Sequence, residues 1–442
     1  MLAIVGLCSG LLLASNAPAD NVAAVQHGTS RTAAVRVGGS DERLTAWTRE
    51  AVAAPQFAAL SGAARRFNSR RPPHPVVLLP SIYLNYEDQV RAAAAAGTLP
   101  CLLEIDGPFV AEFAWAGDLQ PLDRFVPKSL LDDLLPSIVA QGQYAGQLYA
   151  LGQYESGLGL WANKRYLSAA GIRIATVKEP WTLQEFEAAM HKLSGVRGVE
   201  SALNVDMATG SSEFYSYAFS PLLQAFGGDL IDRQTYRSTG VLDGPNSVTA
   251  MKRFQSWFQR GWVHPTGRHG DFEEGKSALS WSGHWFYFLY RKALGGDLVL
   301  MPLPNMGAGI RTGTGSWSWA ISSSCPYPAA AWSFIAELMR DDEMLRMTNA
   351  NAAIPARRSV LARSALYGRV GPLAVFVQQL NAGYGVPRPK TPAYGTIRDS
   401  FRNATRAIAG GADVQTELHE AAQSIDQEIV AKRGYPDALG VP

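Results

Sequence analysis

Between Tyr144 and Ile172 the chain reads YAGQLYALGQYESGLGLWANKRYLSAAGI, and no other stretch narrows its possible folds as much. Tyr144-Ala145-Gly146-Gln147 is a tight turn. Leu148 to Leu151 is a short apolar strand, and Leu158 to Trp161 resumes an apolar run. Asn163-Lys164 then leads into a short helix closed by Gly171. Between the two strands stand Gln153, Tyr154, Glu155 and Ser156. Polar groups set between buried strands are costly without partners, and a ligand is one such partner.

A chain of 442 residues exceeds one ordinary core and divides naturally into two lobes of roughly 150 to 200 residues. With 47% hydrophobic and 18% charged residues it belongs with folded proteins. A net charge of +2 with no basic run argues against nucleic acid as a partner. Leu2 to Leu13 is almost wholly apolar, too short to span a bilayer, and followed by small residues, so residues 1–19 are expected to be a secretory or lipoprotein-like signal. The missing positive n-region suggests that the true start lies upstream. Val5-Gly6-Leu7-Cys8 faintly resembles a lipobox, so Cys8 is either a lipid anchor or an apolar residue of a cleaved leader. Cys101 and Cys325 either pair, as exported cysteines do, or are buried as small hydrophobes.

Strands and helices alternate along the rest. Ala34 to Val37 reads as a strand ending at Asp41, Leu44 to Asn68 as a helix broken near Pro55, and Val76 to Leu79 as a second strand. Leu102 to Ile105 is a third strand, ending at Asp106. This α/β order implies a parallel sheet, with ligands beyond the carboxyl ends of its strands. Asp41 and Asp106 sit at such ends, where helix capping is the other role open to them. Further on, Thr182 and Glu185 form a capping box. Ala278-Leu279-Ser280 reads as a strand, with Trp281-Ser282-Gly283-His284-Trp285 as the loop after it. Leu298 to Met301 and Trp317 to Ile321 are strands flanking the Gly-rich loop Gly307 to Gly315.

Several ordered landmarks carry a family likeness: the opening segment, Leu103-Glu104-Ile105-Asp106, Pro180-Trp181-Thr182, Phe226-Gly227-Gly228, Phe272 to Ala278, Met301-Pro302-Leu303-Pro304 and Ile354-Pro355-Ala356-Arg357. Together they resemble the extracellular solute-binding proteins (family 1) of carbohydrate ABC importers, in their actinobacterial lipoprotein form. Gln147 and Gly152 stand where that family usually has Lys and Pro. The resemblance implies a two-lobed α/β fold of the periplasmic-binding-protein type, type II-like, with a hinge and an interlobe cleft. The lobes would be 34–152 with 300–347, and 153–299 with 348–442. It further implies a monomer outside the cytoplasm that captures an oligosaccharide, amino sugar or sugar-derived polyol. The protein would deliver that ligand to membrane permease subunits driven by their ATPase, and would itself use no cofactor.

Sugar binding needs directional donors and acceptors together with aromatic faces. The expected ligand contacts are Asp41, Asp106, Tyr154, Glu155, Ser156, Trp281, Ser282, His284, Trp285, Gly315, Ser316, Trp317 and Arg357. For any one Trp the core is the competing place, and for Glu155 and Arg357 it is the solvated surface. His264 and His269 near Asp271 fit no zinc signature, and no metal site is expected. Gly307 to Gly315 lacks the ending of a P-loop, and no Gly-x-Ser-x-Gly elbow occurs. Two other classes stay open. One is an exported glycoside-active enzyme using Asp/Glu acid–base chemistry. The other is a sensory or adhesive module.

Overall fold

The computed structural model describes residues 43–80, 86–207, 212–264, 267, 270–368 and 370–433. Asp41, the leader with Cys8, the strand expected over Ala34 to Val37, and His269 lie outside the described residues. Among the described residues nine strands build the two larger sheets. In chain order they are β1 (Leu44–Thr48), β2 (Val76–Pro80), β3 (Leu102–Asp106), β4 (Ala150–Gly152), β5 (Leu158–Asn163), β6 (Ser201–Asn204), β7 (Ser277–Gly283), β8 (Leu298–Met301) and β9 (Trp317–Ile321).

The first sheet runs β2-β1-β3-β9-β4. Its β1, β2 and β3 are parallel, while β9 lies antiparallel between β3 and β4. The second sheet runs β8-β5-β7-β6. The chain therefore passes from the first sheet to the second after Gly152, and back between Met301 and Trp317.

The helix expected over Leu44 to Asn68 is corrected by the structure: Leu44–Thr48 is β1, and the helix begins at Pro55. The local pattern explains the difference. Leu44, Ala46 and Thr48 are buried while Thr45 and Trp47 are partly exposed, a period of two. Proline fits the first helical turn, where its missing N–H costs nothing. The opening turn forms as read, with Ala145 and Gly146 both at positive φ between two short antiparallel strands. The capping box at Thr182 and Glu185 also forms.

One hydrophobic cluster runs from Leu103 and Phe113 of the first lobe to Phe186 and Phe254 of the second, and another lies beneath the first sheet. Under the first sheet, Phe67 meets Phe334 edge-on at 5.5 Å, and Trp319 packs on the same ring. In the second lobe Phe186 packs edge-on against Trp257 at 5.4 Å and lies beside Trp281. Cys101 and Cys325 form a disulfide. It joins the chain just before β3 to the turn after β9, so one bond spans neighbouring strands of the first sheet. Among the described residues no helix is long and apolar enough to cross a membrane.

Candidate functional site

A cavity of about 590 Å³ opens between the two sheets, lined from both lobes and from the segments that cross between them. The first lobe contributes Arg49 just beyond β1 and Asp106 at the end of β3, together with Tyr86 and Glu87. These are carboxyl ends of parallel strands, where side chains fan into a crevice. The crossings contribute Tyr154, Ser156 and Gly315 to Trp317. The second lobe contributes Glu213 and Tyr217, one turn apart on the helix Ser212–Ala225, and His284 and Trp285 directly after β7.

Arg388 is the centre of its charge network. It follows the short strand Gly385–Pro387, is buried, and donates to both oxygens of Asp106 at 2.7 and 2.8 Å. It also donates to Glu213 Oε1, which accepts from the Tyr394 hydroxyl as well. Its guanidinium lies 5.0 Å from the centre of the Tyr217 ring. Burial opposes the charge of Arg388, but Asp106 and Glu213 outweigh it and keep its pKa well above the ordinary value. Burial pushes Glu213 up to about 7, against the pull of Arg388. Asp106 makes no side-chain cap to the turn that follows β3, so pairing with Arg388 is its role. Glu213 Oε2 and Arg388 Nε are buried with no hydrogen-bond partner among the described residues. Buried polar atoms of this kind ordinarily find a partner.

The second cation, Arg49, lies 4.4 Å from the centre of the Trp317 ring and 3.1 Å from Glu50. Behind it, Glu104 on β3 accepts from the Thr48 hydroxyl. Burial, then repulsion from Glu50, raises Glu104 to about 7. Burial lowers His284 to about 4, so its ring is neutral near pH 7. Its Nδ1 lies 2.9 Å from the Asn351 carbonyl, which can only accept, so Nδ1 carries the proton and Nε2 is an acceptor. Gly315 sits at φ +131, and a Cβ there would fall 2.6 Å from Arg388 Nη2, so only glycine leaves room for the guanidinium.

Of the residues expected from sequence, the structure brings Asp106, Tyr154, Ser156, His284, Trp285, Gly315, Ser316 and Trp317 to one cavity. It does not bring Glu155, Trp281, Ser282 or Arg357. Glu155 is fully buried behind the crossing, where it accepts from the backbone N–H of Ser156 and Gly315 and from Gln141. Along an extended segment alternate side chains point to opposite faces, so Tyr154 and Ser156 reach the cavity and Glu155 cannot. Strand β7 runs on through Gly283, so Trp281 and Ser282 lie within it and not in a loop. Trp281 packs in the core with its indole N–H on the Ala218 carbonyl, and Ser282 is buried on the opposite side near Tyr290. Arg357 pairs with Asp133 and Asp341.

Sequence reasoning missed Arg49, Tyr86, Glu213, Tyr217 and Arg388. Reading β1 as a helix hid Arg49, which the rule that chose Asp106 would otherwise have found. Arg388 carries one faint signal, a charge held between Pro387 and Pro389.

The family described as bacterial extracellular solute-binding protein matches residues 62–368. An uncharacterised lipoprotein of Streptomyces antibioticus is 23% identical over 339 residues, 73% of this chain and 71% of that protein. A maltotriose-binding protein of Pyrococcus abyssi is 26% identical over 224 residues, covering 49% of this chain and 45% of that protein. Among solved structures, a receptor of Streptomyces glaucescens, determined unliganded and with acarbose, has a TM-score of 0.73 at 20% identity, covering 89% of this chain and 98% of that one. That likeness fixes the two-lobed fold.

Proposed function

The chain belongs to the bacterial extracellular solute-binding proteins, and from that premise we propose that it captures a carbohydrate between its lobes and hands it, unaltered, to a membrane permease. One observation carries this reading. Charged groups from both lobes, Arg49 and Asp106 on one side and Glu213 and Arg388 on the other, converge on a cavity walled by Tyr86, Tyr154, Tyr217, Trp285 and Trp317. Guanidinium and carboxylate groups bind hydroxyls in fixed directions, and aromatic faces cover the C–H faces of a sugar ring. A ligand touching both lobes stabilises the closed form over the open one.

The lining holds five carboxylates, Glu50, Glu87, Asp106, Asp206 and Glu213, against the guanidiniums of Arg49 and Arg388. That balance favours a neutral or cationic ligand, such as an oligosaccharide, an amino sugar or a polyol, over an anionic one. On this reading the protein works as a monomer outside the cytoplasm, with Cys8 as the residue that would carry a lipid anchor. The lobes are proposed as 43–152 with 302–347 and 153–301 with 348–433; the expected boundary at 300 moves to 302 because Leu300 and Met301 lie in β8 of the second sheet.

The test is calorimetry against a panel of mono- and oligosaccharides, followed by chromatography of the recovered sugar. Saturable binding with the sugar recovered intact supports capture. Turnover would make the protein an enzyme, and binding confined to phosphorylated glycerol derivatives would overturn the carbohydrate class.

A further inference from the structure

Behind the crossing segments lies a second cavity, of about 540 Å³. Tyr154 and Ser156 face the first cavity, while Glu155 points away and is bound by Gln141, which lines the second. Gly315 and Arg388 border both, so the crossings form a partition with a cavity on each side. The rear walls are largely carbon, from Leu135, Pro136, Ala140, Leu380 and Pro387. The size falls within the roughly 300–1,000 Å³ typical of small-molecule pockets.

The charge at the rear is one-sided. Arg358 and Lys390 line the cavity and no Asp or Glu does, the third cation, Arg388, being engaged by Asp106. Lys390 Nζ donates to the Ala140 carbonyl at 2.8 Å and lies 3.5 Å from that of Gln143, both backbone groups. Burial lowers its pKa, the sign of an ammonium partly stripped of water with no carboxylate to compensate. An apolar chamber with two cations and no anion matches a molecule with an apolar body and an anionic head.

We propose that this rear cavity is a second binding site, for a small anionic amphiphile such as a medium-chain carboxylate, and that its occupancy favours closure of the front cleft. The second half rests on the carbohydrate reading of that cleft. Rotating the lobes about the shared partition to widen the front narrows the rear. A molecule filling the rear therefore resists opening, and by reciprocity each ligand strengthens the other.

The test titrates octanoate into the full chain by calorimetry, first with no sugar present, with 1-octanol as the uncharged control. One saturable site is expected, about tenfold tighter for octanoate than for the alcohol, and weakened about tenfold by Lys390→Glu because a charge-assisted contact is lost. Leu380→Asp, which puts a carboxylate on the apolar wall, should weaken it as well, and a thermal midpoint for each variant shows that it folds. Saturating octanoate should then tighten binding of a panel sugar by about fivefold. Absence of saturable binding, equal binding of the alcohol, or full binding by Lys390→Glu overturns the site. Unchanged or weakened sugar affinity overturns the coupling. The first titration contains no sugar, so its failure leaves the carbohydrate reading standing, and failure of the sugar panel leaves the first titration readable.

Discussion

Arg388 grips Asp106 through two parallel hydrogen bonds of 2.7 and 2.8 Å across 282 residues of sequence. The two side chains are only 4% and 3% exposed, so water does little to screen them. Removing one partner of such a pair leaves an uncompensated buried charge, a loss of about 3–5 kcal/mol. Arg388→Ala is therefore expected to lower the free energy of urea unfolding by that amount, with a lower midpoint, and to abolish sugar binding. Arg388→Lys keeps the charge but not the fork and should fall between. A midpoint equal to wild type in Arg388→Ala would show that the pair contributes nothing net.

Two tryptophans four residues apart should behave differently. Trp281 is 3% exposed and packed beside Phe186, so Trp281→Ala is expected to cost about 3–5 kcal/mol of stability. Trp285 lines the cleft and is only partly buried, so Trp285→Ala should weaken sugar binding about tenfold and leave stability nearly unchanged. Denaturation and calorimetry on the same two variants separate the roles. The reverse pattern would place the sugar elsewhere.

Glu104 and Glu213 together should make stability decline as pH rises from about 4.5 to 7, offset in part by His284, whose lowered pKa works in the opposite direction. Glu104 and Glu213 are both raised to about 7, chiefly by burial, so in that window the folded protein holds protons that the unfolded chain has released. The stability these groups contribute is present below their unfolded pKa and is lost as pH passes the folded one. Glu104→Gln removes one titration, with an effect on the order of 3 kcal/mol at most. Urea midpoints at pH 5 and pH 8 should lie closer together in the variant, and an unchanged gap between them would rule Glu104 out as a source of the slope.

Reduction of Cys101–Cys325 is expected to lower stability by about 2–5 kcal/mol, because the unfolded chain regains a long loop. Cys101→Ser should match the reduced wild type in a thermal melt. A reductant effect that persists in Cys101→Ser would trace to something other than this bond.

Much of the fold was readable because it depends on local pattern. The turn at Ala145-Gly146, strands β2, β3 and β9, and the capping box at Thr182 each follow from short-range chemistry. The site was readable in part for the same reason: strand ends marked Asp106, and the polar run between β4 and β5 marked Tyr154 and Ser156. What failed did so for definable reasons. Continuing β7 by three residues moved Trp281 and Ser282 from loop to core, and a one-residue alternation turned Glu155 away from the cleft. Arg388 was hidden because its meaning lies in Asp106 and Glu213, partners that no local window contains.

Strand β9 fills the place between β3 and β4, and it is the last strand of either sheet to be made. A chain threaded outward from its amino end therefore presents the second sheet, whole at Met301, before the first sheet can close. Until Trp317–Ile321 emerges β3 keeps an unpaired edge, and until Cys325 follows Cys101 keeps an unpaired thiol. The first sheet, begun first along the chain, is thus the last whose strands are all available, and its unpaired edge is until then a site for wrong pairing.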